Sequence, residues 1–206
     1  PILRELCDQH GTLLIFDEVM SGFRVHLGGA QALFDVKPDM TCLGKVIGGG
    51  LPVGAYGGRA DVMGCVAPDG PVYQAGTLSG NPLATAAGIA ALEQLSEDGV
   101  FDGIVSMTRS LCEGLTAAAA EHNVSAAVQQ VGTMFTLFLG AEQRITNIGD
   151  VGQCNFEHFN AYFHGMRDRG INLPPSQYEA CFVSAAHSQE DIELTLQAAR
   201  EIFATL

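Results

Sequence analysis

The segment Thr12-Leu13-Leu14-Ile15-Phe16 is a short, continuously apolar run that ends in Asp17-Glu18. Apolar residues without alternation fit a strand buried on both faces, as in a parallel sheet covered by helices, better than a strand with one wet face. Just upstream, Ile2, Leu3, Leu6 and Cys7 share one helical face, and Gly11 supplies a stop. Helix followed by buried strand is the repeating unit of an α/β architecture. Met40-Thr41-Cys42-Leu43 is a second strand candidate that runs directly into Gly44-Lys45. Val53-Gly54-Ala55-Tyr56-Gly57-Gly58 is a third, leading into a helix near residues 61–66.

From Asn81-Pro82 onward the period changes. Leu83, Ala86, Ala87, Ala90, Ala91 and Leu95 recur at helical spacing, and a second helix is expected over residues 100–121. Residues 131–139 alternate well enough to read as one half-buried strand. Phe156, Phe159, Phe163 and Met166 stripe one face of a helix stopped by Gly170, a pattern of core packing. Ser188 with Asp191 reads as a capping box, and the helix it opens buries Ile192, Leu196, Ala199, Ile202 and Phe203. Two domains are expected, residues 1–100 carrying the glycines, Asp17 and Lys45, and residues 101–206 forming a smaller α+β unit. The first residues resemble the inside of a helix, so the chain is expected to begin within a domain.

Composition narrows the partners. A formal net charge of −13 argues against nucleic acid or an anionic membrane surface, since both are held by lysine and arginine. Only two lysines occur, Lys37 and Lys45, which makes each worth examining. The six cysteines form no Cys-x-x-Cys pair and the six histidines no His-Glu-x-x-His pattern. A metal site therefore has no sequence support, and reduced intracellular thiols are expected.

Asp17 ends a candidate parallel strand, where open α/β sheets bind ligands. The bland reading is a turn or cap residue. Leu13-Leu14-Ile15-Phe16-Asp17-Glu18 also matches the Walker B pattern of an NTPase, which requires a Gly-x-x-x-x-Gly-Lys-Ser/Thr loop. Lys45 is followed by Val46 and residue 39 is Asp, so that loop is not in this chain. Lys45 precedes Gly48-Gly49-Gly50, which let the backbone approach a ligand closely. A lysine in so uncharged a setting is a candidate nucleophile toward a carbonyl. An aldehyde cofactor uses such an amine, and an aspartate facing its ring nitrogen makes the ring an electron sink. Lys45 and Asp17 lie 28 residues apart, at the ends of two strand candidates.

Leu14-Ile15-Phe16-Asp17-Glu18-Val19-Met20-Ser21-Gly22-Phe23-Arg24 resembles the Asp-Glu-Val segment of the class III aminotransferases. Leu43-Gly44-Lys45-Val46-Ile47-Gly48-Gly49-Gly50-Leu51-Pro52-Val53-Gly54 resembles their cofactor-lysine segment. More narrowly, Gly28-Gly29-Ala30-Gln31-Ala32 and Gly70-Pro71-Val72-Tyr73-Gln74-Ala75-Gly76-Thr77-Leu78-Ser79-Gly80-Asn81-Pro82 resemble the glutamate-1-semialdehyde 2,1-aminomutases of that family. The likeness runs along the whole chain but covers only about the C-terminal half of the family's length.

The resemblance implies an α/β chain of fold type I, a pyridoxal-phosphate transferase with part of a large domain, mainly parallel in its sheet, and a C-terminal α+β small domain. It implies pyridoxal 5'-phosphate or pyridoxamine 5'-phosphate as cofactor, with Lys45 bonded to it and moving protons. Asp17 would face the pyridine nitrogen and Val19 the ring. Thr77 would reach the cofactor phosphate of a partner subunit, making the protein a homodimer with a shared site. Glu179, and with less support Tyr73, would stand at the substrate end. Glutamate-1-semialdehyde would become 5-aminolevulinate by internal amino exchange, in tetrapyrrole synthesis. A class III transaminase using an external 2-oxo acid is the alternative, and a Walker B-type ATPase the remote one. Cytoplasm is the expected location, or plastid stroma in a photosynthetic eukaryote. The phosphate loop, the stacking aromatic and the gating segment are expected outside these residues, so the 206-residue piece alone is expected to be inactive and poorly soluble. Thr77 and Ser79 also read as caps of the helix beginning near Asn81, Tyr73 as a core aromatic, Glu18 as a turn residue and Arg24 as a salt-bridge residue.

Overall fold

Helix α1 (Ile2–His10) ends where Gly11 turns left-handed at φ 63°, its N–H donating to the carbonyls of Asp8 and Cys7. A side chain at that φ would clash with the backbone, which is why glycine is the stop. The computed structural model describes residues 1–206, and the chain forms two units, Pro1–Val100 and Phe101–Leu206.

In the first unit β1 (Ile15–Asp17) pairs in parallel with β2 (Met40–Gly44), and the short helix α2 (Gly29–Leu33) lies in the crossover between them. β3 (Gly54–Gly58) pairs with β2 antiparallel. The sheet thus holds one parallel and one antiparallel pair, where the sequence reading expects a mainly parallel one. β1 is also shorter and more exposed than its apolar run implies, with Ile15 52% exposed. Within these 206 residues β1 pairs only with β2. A short 3-10 turn (Lys45–Gly48), α3 (Ala60–Met63) and α4 (Pro82–Leu95) complete the unit. Asn81 caps α4 by accepting the Ala84 N–H, so neither Thr77 nor Ser79 is the cap.

Asp39 ties this unit together. Its carboxylate accepts from the Leu14 N–H (2.7 Å), Arg4 Nη1 (2.8 Å) and Arg59 Nη1 (2.6 Å), joining the approach to β1, helix α1 and the end of β3. Those three donors hold its pKa well below the usual carboxylate range, against the opposing effect of burial.

The second unit packs three long helices on a small antiparallel sheet. α5 (Val100–Glu121) is followed by the hairpin β4 (Ala126–Val131) and β5 (Met134–Leu139), turning at Gly132-Thr133 with Val131 opposite Met134. The single strand expected over 131–139 is therefore β5 plus the last residue of β4, and β4 itself carries no apolar alternation that would have marked it. After α6 (Ile148–Val151) and α7 (Phe156–Asp168), β6 (Cys181–Phe182) joins the other edge of β5, and α8 (Gln189–Phe203) closes the unit. Leu115, Leu139, Met166 and Phe203 are all but fully buried. Each such side chain contributes about 1.5–3 kcal/mol relative to exposure. On α7 the buried face is Phe159, Tyr162 and Met166, with Tyr162 stacked on Phe203 at 5.4 Å, while Phe156 lies near the surface. α7 crosses α8 at Gly165, where a Cβ would lie 2.9 Å from Ile202. The Ser188–Asp191 capping box forms as the spacing predicts.

Candidate active site

The parallel pairing puts the C-terminal ends of β1 and β2 on one edge of the sheet. Asp17 is the last residue of β1, and Lys45 immediately follows β2. Lys45 takes φ 50°, a left-handed conformation that costs a residue with a Cβ about 1–3 kcal/mol and persists only where neighbours enforce it. The neighbours are visible: buried Gly44 leaves no slack, since a Cβ there would stand 3.2 Å from Val19 Cγ1 and 3.5 Å from the Val53 carbonyl.

Lys45 lines an open cleft of ≈ 750 Å³ together with Val19, Leu43, Leu51–Gly54 and the segment around Gly76 to Gly80. It is the only ionisable residue on that wall, the rest being apolar or glycine apart from Ser79. Gly54 and Gly80 face open space, so the cleft is wide at both walls. Within the glycine triplet, Gly49 has a packing duty. A Cβ on Gly49 would stand 2.3 Å from the Ala87 carbonyl oxygen, and one on Gly88 would stand 2.1 Å from that of Ile47. These glycines let the turn after Lys45 pack backbone to backbone on α4.

Asp17 is exposed, and its Oδ1 accepts the Val19 N–H at 3.0 Å, which fixes the carboxylate at the strand end. Thr77 lies in the wholly exposed segment 71–80, beside cleft residues Gly76 and Leu78 but not itself on the wall. Tyr73 is 84% exposed, so it is not the core aromatic its type suggests. Glu179 belongs to the second unit, where its backbone carbonyl accepts from the Thr136 hydroxyl and its residue lines a small cavity of ≈ 30 Å³ with Gln177. The first unit therefore gathers Lys45 and Val19 on one wall with Asp17 at the adjoining strand end, while Tyr73 is not on that wall.

The sequence reading treats Glu18 as a turn residue; it does stand at the turn after β1, and the structure adds that it is buried there. Glu18 is 1% exposed and accepts from the Ser21 hydroxyl and from the N–H groups of Ala30 and Gln31, both at 2.9 Å. Burial pushes its carboxyl up, but those hydrogen bonds outweigh it and hold the group below the ordinary carboxylate range. Arg24 donates to the Met20 carbonyl, and burial lowers its basicity.

A primary amine standing alone in a wide, glycine-lined cleft, with a carboxylate at the next strand end, suits an aromatic aldehyde carrying a basic ring nitrogen. The geometry fits pyridoxal phosphate on that ground. Comparison with known proteins points the same way. The sequence profile described as "Aminotransferase class-III" matches residues 1–202. An omega-transaminase from Sphaerobacter thermophilus superposes with a TM-score of 0.85 at 30% identity, over 98% of this chain and 46% of its own. A β-phenylalanine aminotransferase from Variovorax paradoxus superposes at 0.85 and 27% identity, over 97% of this chain and 46% of its own. A glutamate-1-semialdehyde aminomutase from Pseudomonas aeruginosa PAO1, in complex with PMP, superposes at 0.81 and 25% identity, over 97% and 46%. The chain thus spans about half the length of the solved structures it matches, and the Walker B likeness of residues 13–18, which includes β1 (Ile15–Asp17), lies within the matched aminotransferase region. The chain belongs to the class III aminotransferase family.

Proposed function

We propose that the protein carrying this chain is a pyridoxal-phosphate enzyme that converts glutamate-1-semialdehyde to 5-aminolevulinate by internal amino exchange. The observation that carries the cofactor reading is Lys45, the only ionisable residue on the wall of a ≈ 750 Å³ cleft, one position past the end of β2. When bound, pyridoxal phosphate supplies an aldehyde that exchanges amino groups and a ring that accepts electrons. Lys45 would hold the cofactor through its side-chain amine and, once released from it, would move a proton between substrate and cofactor carbons. Asp17 holds a proton on the ring nitrogen through its carboxylate. Val19 packs on the ring face. Thr77, in the exposed 71–80 segment, reaches the phosphate held by a second copy of the protein, so the working unit is a homodimer. Glu179 meets the substrate, and Tyr73 stands near its entry. The same reading carries a cytoplasmic location, or plastid stroma in a photosynthetic eukaryote.

The aminomutase reading is supported by the likeness of residues 28–32 and 70–82 to that branch of the family. The identities of 30% and 27% to two transaminases favour the second reading, a transaminase that passes its amino group to an external 2-oxo acid. Substrate dependence separates the two. The purified full-length protein is given glutamate-1-semialdehyde with no amino acceptor; 5-aminolevulinate formation is expected. A strict requirement for an added 2-oxo acid identifies the transaminase instead.

A further inference from the structure

Gly28-Gly29-Ala30 and Glu18 belong to motifs that the cofactor reading leaves without a role, yet they meet in one place. The Glu18 side chain accepts from Ser21, from the Ala30 N–H (2.9 Å, Oε2) and from the Gln31 N–H (2.9 Å, Oε1). Its backbone is pinned as well: the Glu18 N–H donates to the Cys42 carbonyl of β2 at 2.9 Å, and its own carbonyl accepts from the Gly22 N–H at 2.8 Å. Gly29 sits at φ 71°, and a Cβ there would stand 2.6 Å from Glu18 Oε1. The second glycine is thus the seat of the carboxylate, and no other residue leaves room for it.

Glu18 lies between Asp17, whose carboxylate is fixed by the Val19 N–H, and Val19, which lines the cleft beside Lys45. We propose that Glu18 is a positioning residue for the cofactor site: its buried carboxylate clamps the turn after β1 to α2, and so sets where Asp17 and Val19 point. Glu18 touches neither cofactor nor substrate; it acts through its two neighbours. A glutamine in its place must turn an NH2 toward one of the two backbone N–H donors, so one anchor becomes a repulsion while size is unchanged. The inference rests on the proposal that Asp17 and Val19 face pyridoxal phosphate.

The test uses the full-length holoenzyme and its Glu18→Gln variant, with the cofactor's long-wavelength absorbance titrated against pH and pyridoxal phosphate affinity measured by dialysis. Loss of one charge-assisted anchor is expected to weaken cofactor affinity about 10-fold. The midpoint of the absorbance titration is expected to move in the same direction as in Asp17→Asn, by a smaller amount. General loosening of the fold lowers the melting temperature without moving that midpoint. An unchanged affinity and an unchanged midpoint, whatever the melting temperature, overturn the inference. Should Glu18→Gln not fold, Gly29→Ala carries the same test, because it presses on the carboxylate from the α2 side and leaves Glu18 itself intact; an unmoved midpoint there overturns the inference equally. Failure of the underlying reading has a separate signature: the wild-type protein itself then shows no cofactor band.

Discussion

Asp17 stands opposite Cys42 at the end of the parallel β1–β2 ladder, and Lys45 follows three residues beyond Cys42. The carboxylate and the amine therefore leave the sheet at the same edge, one at the end of each strand. Open α/β sheets bind ligands at that edge because the strand ends leave a crevice there that helices do not fill. The separation in sequence between the two groups is spanned by the turn at Glu18, helix α2 and strand β2.

Asp17→Asn removes the charge and keeps the shape. The side chain makes only the local bond to the Val19 N–H, which an amide oxygen also accepts, so the unfolding midpoint is expected to stay close to wild type. Turnover of the full-length protein is expected to fall by on the order of 10² or more, the usual cost of deleting one preorganised electrostatic partner. A midpoint that collapses with activity would mean the aspartate is structural.

Acid stability tests the Asp39 hub. Its folded-state pKa lies well below the ordinary value of about 4 for an unfolded aspartate, through the Leu14 N–H and the Arg4 and Arg59 guanidiniums. A depressed carboxylate contributes stability in full above its unfolded pKa, and that contribution is lost as pH falls toward the folded value. Urea midpoints for wild type and Asp39→Asn are expected to differ most near neutrality and to converge as pH falls below about 4.

Much of this fold is legible in the residues because local rules and packing agree. Gly11 stops α1, Ser188 and Asp191 box the start of α8, and the apolar spacing of 82–95 and 100–121 marks two helices. Where sequence reading fails, partners distant in the chain decide. The run ending in Phe16 reads as doubly buried, whereas within this chain, about half the length of the structures it matches, β1 has one neighbour and Ile15 is half exposed. Strand β4 (Ala-Ala-Val-Gln-Gln-Val) lacks alternation and is recruited by pairing with β5. Glu18 is invisible beforehand, since a glutamate after a strand is ordinarily solvated and its donors lie 12 and 13 residues on. The glycine triplet after Lys45 draws attention as a ligand approach, whereas α4 accounts for Gly49. Motif alone singles out Lys45 and Val19, which the structure puts on one cleft wall; the positive φ of Lys45 has no signal in the sequence.

The thiols give an independent check on the second unit. Burial pushes Cys112 and Cys181 each up to about 12, whereas Cys65 is exposed in the first unit. At pH 8 a thiol reagent is expected to label Cys65 quickly and Cys112 and Cys181 only after unfolding, because the thiolate is the reactive form. The sign for stability follows: a raised folded pKa favours the native state below the unfolded value of about 8.5, and the advantage is lost as pH rises toward the folded one. Mass mapping of a timed alkylation measures the first, and urea midpoints between neutral and alkaline pH measure the second.

The central claim is that Lys45 holds the cofactor. Borohydride reduction of the full-length protein in the presence of pyridoxal phosphate, followed by peptide mass mapping, tests it directly. The predicted result is one stoichiometric pyridoxyl label on Lys45, absent from Lys45→Ala. A label on Lys37 or on a lysine outside this chain, with Lys45 unmodified, would contradict it.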